Sequence, residues 1–121
     1  MRDRRVAEKR GRRSESWAAM LLMLKGYRIL GRRVRTKLGE IDLVAKAPSG
    51  LICFVEVKAR GDEASALESL RPRQRQRIAR AASLYLAQRP GLAAKGHRFD
   101  VVTVTGLWPR HGRDVWRPDP S

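Results

Sequence analysis

Three things are scarce in this chain: cysteine, carboxylates and long apolar runs. The single cysteine, Cys53, excludes an intrachain disulfide and any metal centre built on thiolates, and it fits a reducing cytoplasm. The longest apolar run, Trp17 to Leu24, is far below the roughly 20 residues that a membrane span needs. The charged stretch from Met1 to Arg13 has no apolar segment behind it of the kind an export signal carries. A cytoplasmic protein without membrane insertion is therefore expected. Carboxylates are outnumbered: 12 Asp and Glu face 27 Lys and Arg, for a formal net charge of +15. Most of the excess is arginine, which pairs bidentately with phosphate oxygens, so nucleic acid is the natural partner. Two plainer readings stay open, contact with acidic headgroups and a compositional preference for arginine.

What is present is enough for one folded domain. Of the 121 residues 42% are hydrophobic and 32% charged, the profile of a globular chain with a single core. Residues 1–13 hold seven Lys or Arg and read as a flexible basic arm or a frayed terminus, with the domain proper over residues 14–121. A first helix is expected from Ser14, a suitable N-cap, to Lys25, stopped by Gly26, with Trp17, Met20, Leu21 and Leu24 as its buried stripe. Tyr27 to Thr36 alternates as a strand. Leu38 to Ala47 and Leu51 to Ala59 are β-rich runs flanking Pro48-Ser49-Gly50, a loop with glycine where a left-handed residue belongs, and so read as an antiparallel hairpin. Beyond a polar stretch, Pro72 opens a second helix that runs to about Gln88, with Ile78, Ala81, Ala82 and Tyr85 as its packing stripe. Arg98 to Thr105 has the apolar residues of a strand buried on both faces, and a short strand around Val115 and Trp116 closes the order. The result is a mixed α/β domain: a central sheet of about five strands with flanking helices.

The hairpin carries the chemistry. If Ala47 pairs with Leu51, then Asp42 lies across from Glu56 and Glu40 across from Lys58. Alternation puts those four side chains on one face and Ile41, Leu43, Cys53, Val55 and Val57 on the other. Opposed side chains on adjacent strands have Cβ atoms roughly 4.5–5.5 Å apart, so two carboxylates there repel. A divalent cation of the Mg²⁺ or Mn²⁺ type compensates them and leaves positions for water and a phosphate oxygen. It would polarise a phosphodiester and acidify a bound water, while Lys58 orients that water or offsets charge on the phosphoryl group. Taken singly, each of these residues has a plainer role, as a solvated carboxylate or a cross-strand ion pair.

Gly39-Glu40-Ile41-Asp42-Leu43-Val44, followed by Phe54-Val55-Glu56-Val57-Lys58-Ala59-Arg60, resembles the paired motifs of the PD-(D/E)XK nuclease superfamily. More narrowly, the chain resembles the uncharacterised bacterial family UPF0102, or YraN, over about Arg10 to Trp116. The resemblance implies a restriction-endonuclease-like αβββαβ core, similar to archaeal Holliday-junction resolvases, and a Mg²⁺- or Mn²⁺-dependent endodeoxyribonuclease acting on branched DNA. It implies Asp42, Glu56 and, from the first helix, Glu15 as the metal-binding residues, with Lys58 as the motif lysine; Glu40, placed on the same face by strand parity, joins them as a catalytic candidate. Gln74 and Arg77 match a Gln-x-x-Arg element that approaches DNA, though many relatives carry lysine where Gln74 stands. Arg33, Arg35 and Arg60 complete the expected nucleic-acid contacts. Related resolvases are symmetric dimers, so a homodimer is one expected arrangement.

The remaining candidates carry plainer expectations. His97 and His111 lack ligand spacing and read as loop histidines at solvent. Cys53 reads as core, Trp108 and Trp116 as packed against the sheet, and Asp100 as buried and hydrogen-bonded. Two other function classes stand beside the nuclease: a non-catalytic nucleic-acid-binding protein of repair or recombination, and an RNA-associated basic protein, for which the acidic face is a liability.

Overall fold

In a computed structural model the described residues are 4–59, 72–92 and 94–117, and of residues 4–12 only the backbone is described. The elements run α1 (Arg4–Leu24), β1 (Arg28–Thr36), β2 (Gly39–Lys46), β3 (Ile52–Lys58), α2 (Pro72–Ala87), β4 (His97–Thr105) and β5 (Trp108–Trp116). This is the αβββαβ order extended by a full-length β5. The five strands form one sheet in the order β1-β2-β3-β4-β5, antiparallel except for β3 and β4. A parallel pair needs a crossover, and α2 lies within the connection that supplies it. None of the described helices is long and apolar enough to cross a membrane.

Each helix covers one face of the sheet. On the α2 side Ile78, Ala81, Ala82 and Tyr85 pack against Val44, Ile52, Phe54, Phe99 and Val101, which is the stripe that helical spacing predicts. On the α1 side Ala18, Ala19 and Leu22 pack against Leu43, Cys53, Val55, Val102 and Val104. β4 thus supplies Phe99 and Val101 to one face and Val102 and Val104 to the other, as a strand buried on both sides must. Trp116 is buried and stacks on Phe99 at 4.2 Å between ring centroids, whereas Trp108 at the β4–β5 turn is exposed rather than packed.

α1 departs from expectation twice. It starts at Arg4 rather than Ser14, so residues 4–13, read as an arm, have helical backbone. Arg, Ala, Glu and Lys are all good helix formers, and Gly11 alone is too weak a breaker to stop them. Its buried stripe is also rotated. Ser14, Glu15, Ala18, Ala19 and Leu22 face the sheet, while Met20 and Leu24 are 48% and 81% exposed. The small side chains are the ones that let a helix lie close on a sheet.

Beneath the C-terminal end of α1 lies a polar cluster that hydrophobic patterning does not reveal. The Asp100 carboxylate, fully buried, accepts hydrogen bonds from Arg98 Nε at 2.9 Å, the Asp114 N–H at 2.9 Å and His111 Nε2 at 2.7 Å. Arg98 also reaches the Tyr27 hydroxyl. Lys25 Nζ lies 2.6 Å from His111 Nδ1; with lysine as donor there, the imidazole carries its proton on Nε2 and gives it to Asp100. His111 is therefore no loop histidine at solvent: it sits in β5 with a side chain only 2% exposed. His97 opens β4, exposed, with its ring edge on Phe54 and Phe99. Burial by itself would raise the Asp100 pKa, but the bonds from His111, Arg98 and the Asp114 N–H hold it below the ordinary carboxylate value. Cys53, as expected, is core, and burial pushes its thiol up to about 12.

Removing one partner of a buried ionic cluster strands the others. Asp100→Ala should therefore cost about 3–5 kcal/mol in urea unfolding at neutral pH. Because the folded-state pKa of Asp100 lies below its unfolded value of 3.8, its contribution is complete above that value and is lost as pH falls through the lower folded one. The gap between wild type and Asp100→Ala should accordingly narrow below pH 3.8, as read by unfolding curves across pH.

Candidate active site

The β2–β3 hairpin forms as its loop predicts. Ala47 N–H donates to the Leu51 carbonyl at 2.8 Å, Gly50 takes a φ of 96°, and the ladder pairs Lys46 with Ile52, Ala45 with Cys53, Val44 with Phe54 and Leu43 with Val55. There the ladder ends. In an antiparallel pair of this phase, the next N–H to cross from β3 is that of Val57, bound for the Ile41 carbonyl. Instead Val57 N–H donates to Asp42 Oδ2 at 2.8 Å. The Asp42 carboxylate is the wedge at which β2 leaves β3. On either side the sheet continues, β3 with β4 as far as Lys58–Thr103 and β2 with β1 as far as Gly39–Thr36.

The cause lies in the β1–β2 ribbon. Arg32 pairs with Leu43, which packs on the α1 side; two residues on, Val34 pairs with Ile41, and both pack on the α2 side. Strict alternation would keep all four on one side. The reversal falls on the bracketed residues Arg33 and Asp42, and Arg33 adopts a left-handed φ of 49°. For a non-glycine residue that conformation costs on the order of 1–3 kcal/mol and marks a place where structure is held against strain. The expected grouping of Ile41 with Leu43, Cys53, Val55 and Val57 is therefore corrected: Ile41 lies on the α2 face with Val44 and Phe54. α2 rests on the diverted end of β2, where a Cβ on Gly39 would come within 3.3 Å of the Arg77 carbonyl oxygen.

At the split, Asp42 lies within hydrogen-bonding reach of Glu56. Glu56 is 5% exposed and its Oε1 is buried without a partner. Its pKa stands well above the ordinary value, first through burial, then through the hydrogen bond and charge of Asp42, with Lys58 pulling the other way and Glu40 adding to the rise. Lys58, half-buried, thus lies within electrostatic reach of the pair. Glu40 is exposed, and because the ladder has opened its ion partner is Arg35 across β1, at 3.8 Å, rather than Lys58. An exposed pair of this kind contributes little to stability.

Glu15 reaches the same region from α1. It is 6% exposed; its Oε2 accepts a bond from Arg33 Nε at 2.7 Å, and its Oε1 has no partner. The pKa of Arg33 is raised, chiefly by the hydrogen bond and charge of Glu15, with further contributions from Glu40 and Asp42. Arg33 therefore links Glu15 electrostatically to the acidic face, a role that no spacing in the sequence signals, because it depends on the left-handed turn. Gln74 is half-buried and Arg77 exposed on α2; among the described residues neither bonds to the acidic pair. Arg60 lies outside the described residues.

The donor set fits a hard divalent cation. Two adjacent carboxylates, one with a buried unpartnered oxygen, are the ligands Mg²⁺ and Mn²⁺ favour. No group of three or more His, Cys, Asp or Glu converges on one point among the described residues. A cation at this place would rest on Asp42 and Glu56 and otherwise on water and substrate oxygens, as Mg²⁺ commonly does.

The chain is similar to known proteins over nearly its whole length. The family model described as "Uncharacterised protein family UPF0102" matches residues 14–104, from within α1 to within β4, a range that includes every residue of the acidic face. The UPF0102 protein of Maricaulis maris is 51% identical, covering 99% of this chain and 94% of that protein. Those of Parvibaculum lavamentivorans and Paramagnetospirillum magneticum are 49% and 48% identical, covering 93% and 98% of this chain and 85% and 95% of theirs.

Without a cation the Asp42–Glu56 contact is a liability. The folded-state pKa of Glu56 is above its unfolded value of 4.5, so the folded state holds the extra proton, and stability falls as pH rises from 4.5 through the raised value. Glu56→Gln should therefore raise the melting temperature of the metal-free protein by a few degrees at pH 7, with the gain vanishing toward pH 4.5. Mn²⁺ should stabilise the wild type and leave Glu56→Gln unmoved; differential scanning fluorimetry with and without Mn²⁺ reads both effects.

Proposed function

This chain belongs to the uncharacterised protein family UPF0102, and from its acidic site we propose that it is a Mg²⁺- or Mn²⁺-dependent endonuclease acting on branched or otherwise structured DNA. One observation carries the reading: two contacting carboxyls, one buried with a free oxygen, stand at a split in the sheet of a chain with net charge +15. With both carboxyls ionised, a pair placed so is unfavourable unless it binds a cation. A chain so basic attracts a polyanion, and a phosphodiester brought to this pair would complete the cation's oxygen shell.

When bound, a divalent cation supplies Lewis-acid polarisation of the phosphate and a water of lowered pKa. The chain does the rest. Asp42 and Glu56 hold the site's negative charge, and the Val57 N–H fixes one Asp42 oxygen so that the carboxylate cannot rotate freely. Lys58, whose charge acts on Glu56, would hold a hydrogen bond to the attacking water or offset charge on a phosphate oxygen. The arginines on α2, Arg73, Arg77 and Arg80, are exposed on the helix that rests against Gly39, and Arg35 is exposed on β1; these are suited to backbone phosphates without sequence preference. The resemblance to archaeal Holliday-junction resolvases supports a branched substrate and a homodimer. We place the protein's work in the cytoplasm, in keeping with its free thiol.

The test is a panel of end-labelled four-way junctions, flaps, duplexes and single strands incubated with Mn²⁺, with Mg²⁺ or with chelator. Wild type should cut one of the branched substrates in a metal-dependent way. Asp42→Ala and Glu56→Ala should each lower that rate by on the order of a hundredfold or more. Equal cleavage by wild type and both variants would sink the reading. Tight, salt-sensitive binding with no cleavage under any metal would favour a non-catalytic DNA-binding role instead.

A further inference from the structure

Among the described residues Arg33 is the one strained, charged residue beside the acidic pair, and its bonding is lopsided. Its Nε donates to Glu15 Oε2 at 2.7 Å, while among the described residues neither terminal nitrogen has a hydrogen-bond or ion-pair partner, and the side chain is 35% exposed. The guanidinium is thus anchored at its inner edge and open at its outer edge. Like Asp42, it lies between the paired residues Arg32–Leu43 and Val34–Ile41 of the ribbon, and it feels the charges of Glu40 and Asp42. Glu15 is itself fixed, on a helix buried against the sheet, with Ser16 beside it accepting a bond from Arg32 at 2.9 Å.

A guanidinium held by Nε and free at both terminal nitrogens presents the planar fork that matches two phosphate oxygens. Arg33 combines a left-handed φ of 49° with a side chain anchored on Glu15, and a backbone strain kept beside a candidate site points to a position needed by a functional group. We propose that Arg33 is a phosphate clamp for the phosphodiester that docks at Asp42 and Glu56, and that Glu15 is its positioning residue rather than a ligand to the cation. The inference rests on the nuclease reading of the acidic pair. It assigns the helix-one glutamate a different job from the one the family resemblance implies. Oε2 orients the arginine by accepting the bond from its Nε. The buried, unpartnered Oε1 of Glu15 is the feature a rival assignment would use, and the experiment decides between the two.

Wild type, Glu15→Gln, Arg33→Lys, the double variant, Asp42→Ala and an Arg32→Ala charge control are compared in two binding measurements, with thermal melts to confirm folding. The first is calorimetric titration with Mn²⁺ alone. Glu15→Gln and Arg33→Lys should keep the wild-type affinity within about threefold, whereas Asp42→Ala should lose it. The second is affinity for a labelled four-way junction in Ca²⁺ at fixed salt. Arg33→Lys should weaken it about tenfold, because lysine keeps the charge but has no fork. Glu15→Gln should weaken it in the same direction, Arg32→Ala should change it by less, and the double variant should be no worse than Arg33→Lys alone, since Glu15 acts through Arg33. Loss of Mn²⁺ binding by Glu15→Gln to the extent seen in Asp42→Ala would overturn the proposal and leave the nuclease reading intact. So would junction affinity at the wild-type level in Arg33→Lys. A wild type that binds no Mn²⁺ would overturn the nuclease reading, and the junction affinities would still decide the role of Arg33.

Discussion

The β1–β2 ribbon turns over between Arg32–Leu43 and Val34–Ile41, and the rest of the site follows from that turn. Upstream of it, β2 is an ordinary central strand whose side chains alternate between the two helical faces. Downstream, Ile41 must serve the α2 face, β2 can no longer keep its ladder with β3, and the Asp42 carboxylate takes the Val57 N–H that the ladder has left without its backbone acceptor. A backbone donor that is buried must be satisfied somehow. Here the satisfier is Asp42, the neighbour of Glu56, so the repair of the sheet and the construction of the acidic pair are one event. The left-handed Arg33 lies at the point of reversal, and Gly39, which leaves room for the α2 backbone, lets the diverted end of β2 be covered again.

The molecule treats its two sets of buried acids in opposite ways. Asp100 has every nearby donor it can use: Arg98, His111 and the Asp114 N–H close around it, and its pKa falls despite burial. That cluster joins the end of α1 to β4 and β5 and behaves as a structural tie. Glu56 is nearly as deep, yet it has another carboxyl as its neighbour, an oxygen without a donor, and a pKa pushed upward. Both lie within one sheet, so the difference is not one of general polarity. Buried groups left short of partners on a stable scaffold are where binding energy for a ligand is held in reserve.

Much of this was legible in the residues. The Pro48-Ser49-Gly50 loop sets the hairpin register, because the glycine adopts the positive φ the loop needs and each later pair follows from the first. The Ile78, Ala81, Ala82 and Tyr85 stripe marks the buried side of α2, since four residues at three- and four-residue spacing admit one orientation. The double-sided apolar content of β4 marks a strand buried on both faces. What escaped was every feature in which local pattern and tertiary packing disagree. Trp17, Met20 and Leu24 are the larger apolar residues of α1, but the close approach of helix to sheet selects Ala18, Ala19 and Leu22. His111 has no ligand spacing in sequence because its partners, Lys25 and Asp100, come from other elements.

The sequence by itself determined the αβββαβ order, the hairpin register as far as Leu43 and Val55, and the neighbourhood of Asp42, Glu56 and Lys58. These depend on periods, turn residues and loop lengths, which act between near neighbours along the chain. Only the tertiary structure decided where the ladder stops, which face Ile41 serves, and that Glu15 answers to Arg33 and Glu40 to Arg35. Strict alternation carries parity along a strand only while its φ and ψ stay extended. One residue in the left-handed region cancels it, and Arg33, which adopts that conformation, is tied to Glu15 of α1, a partner distant in sequence.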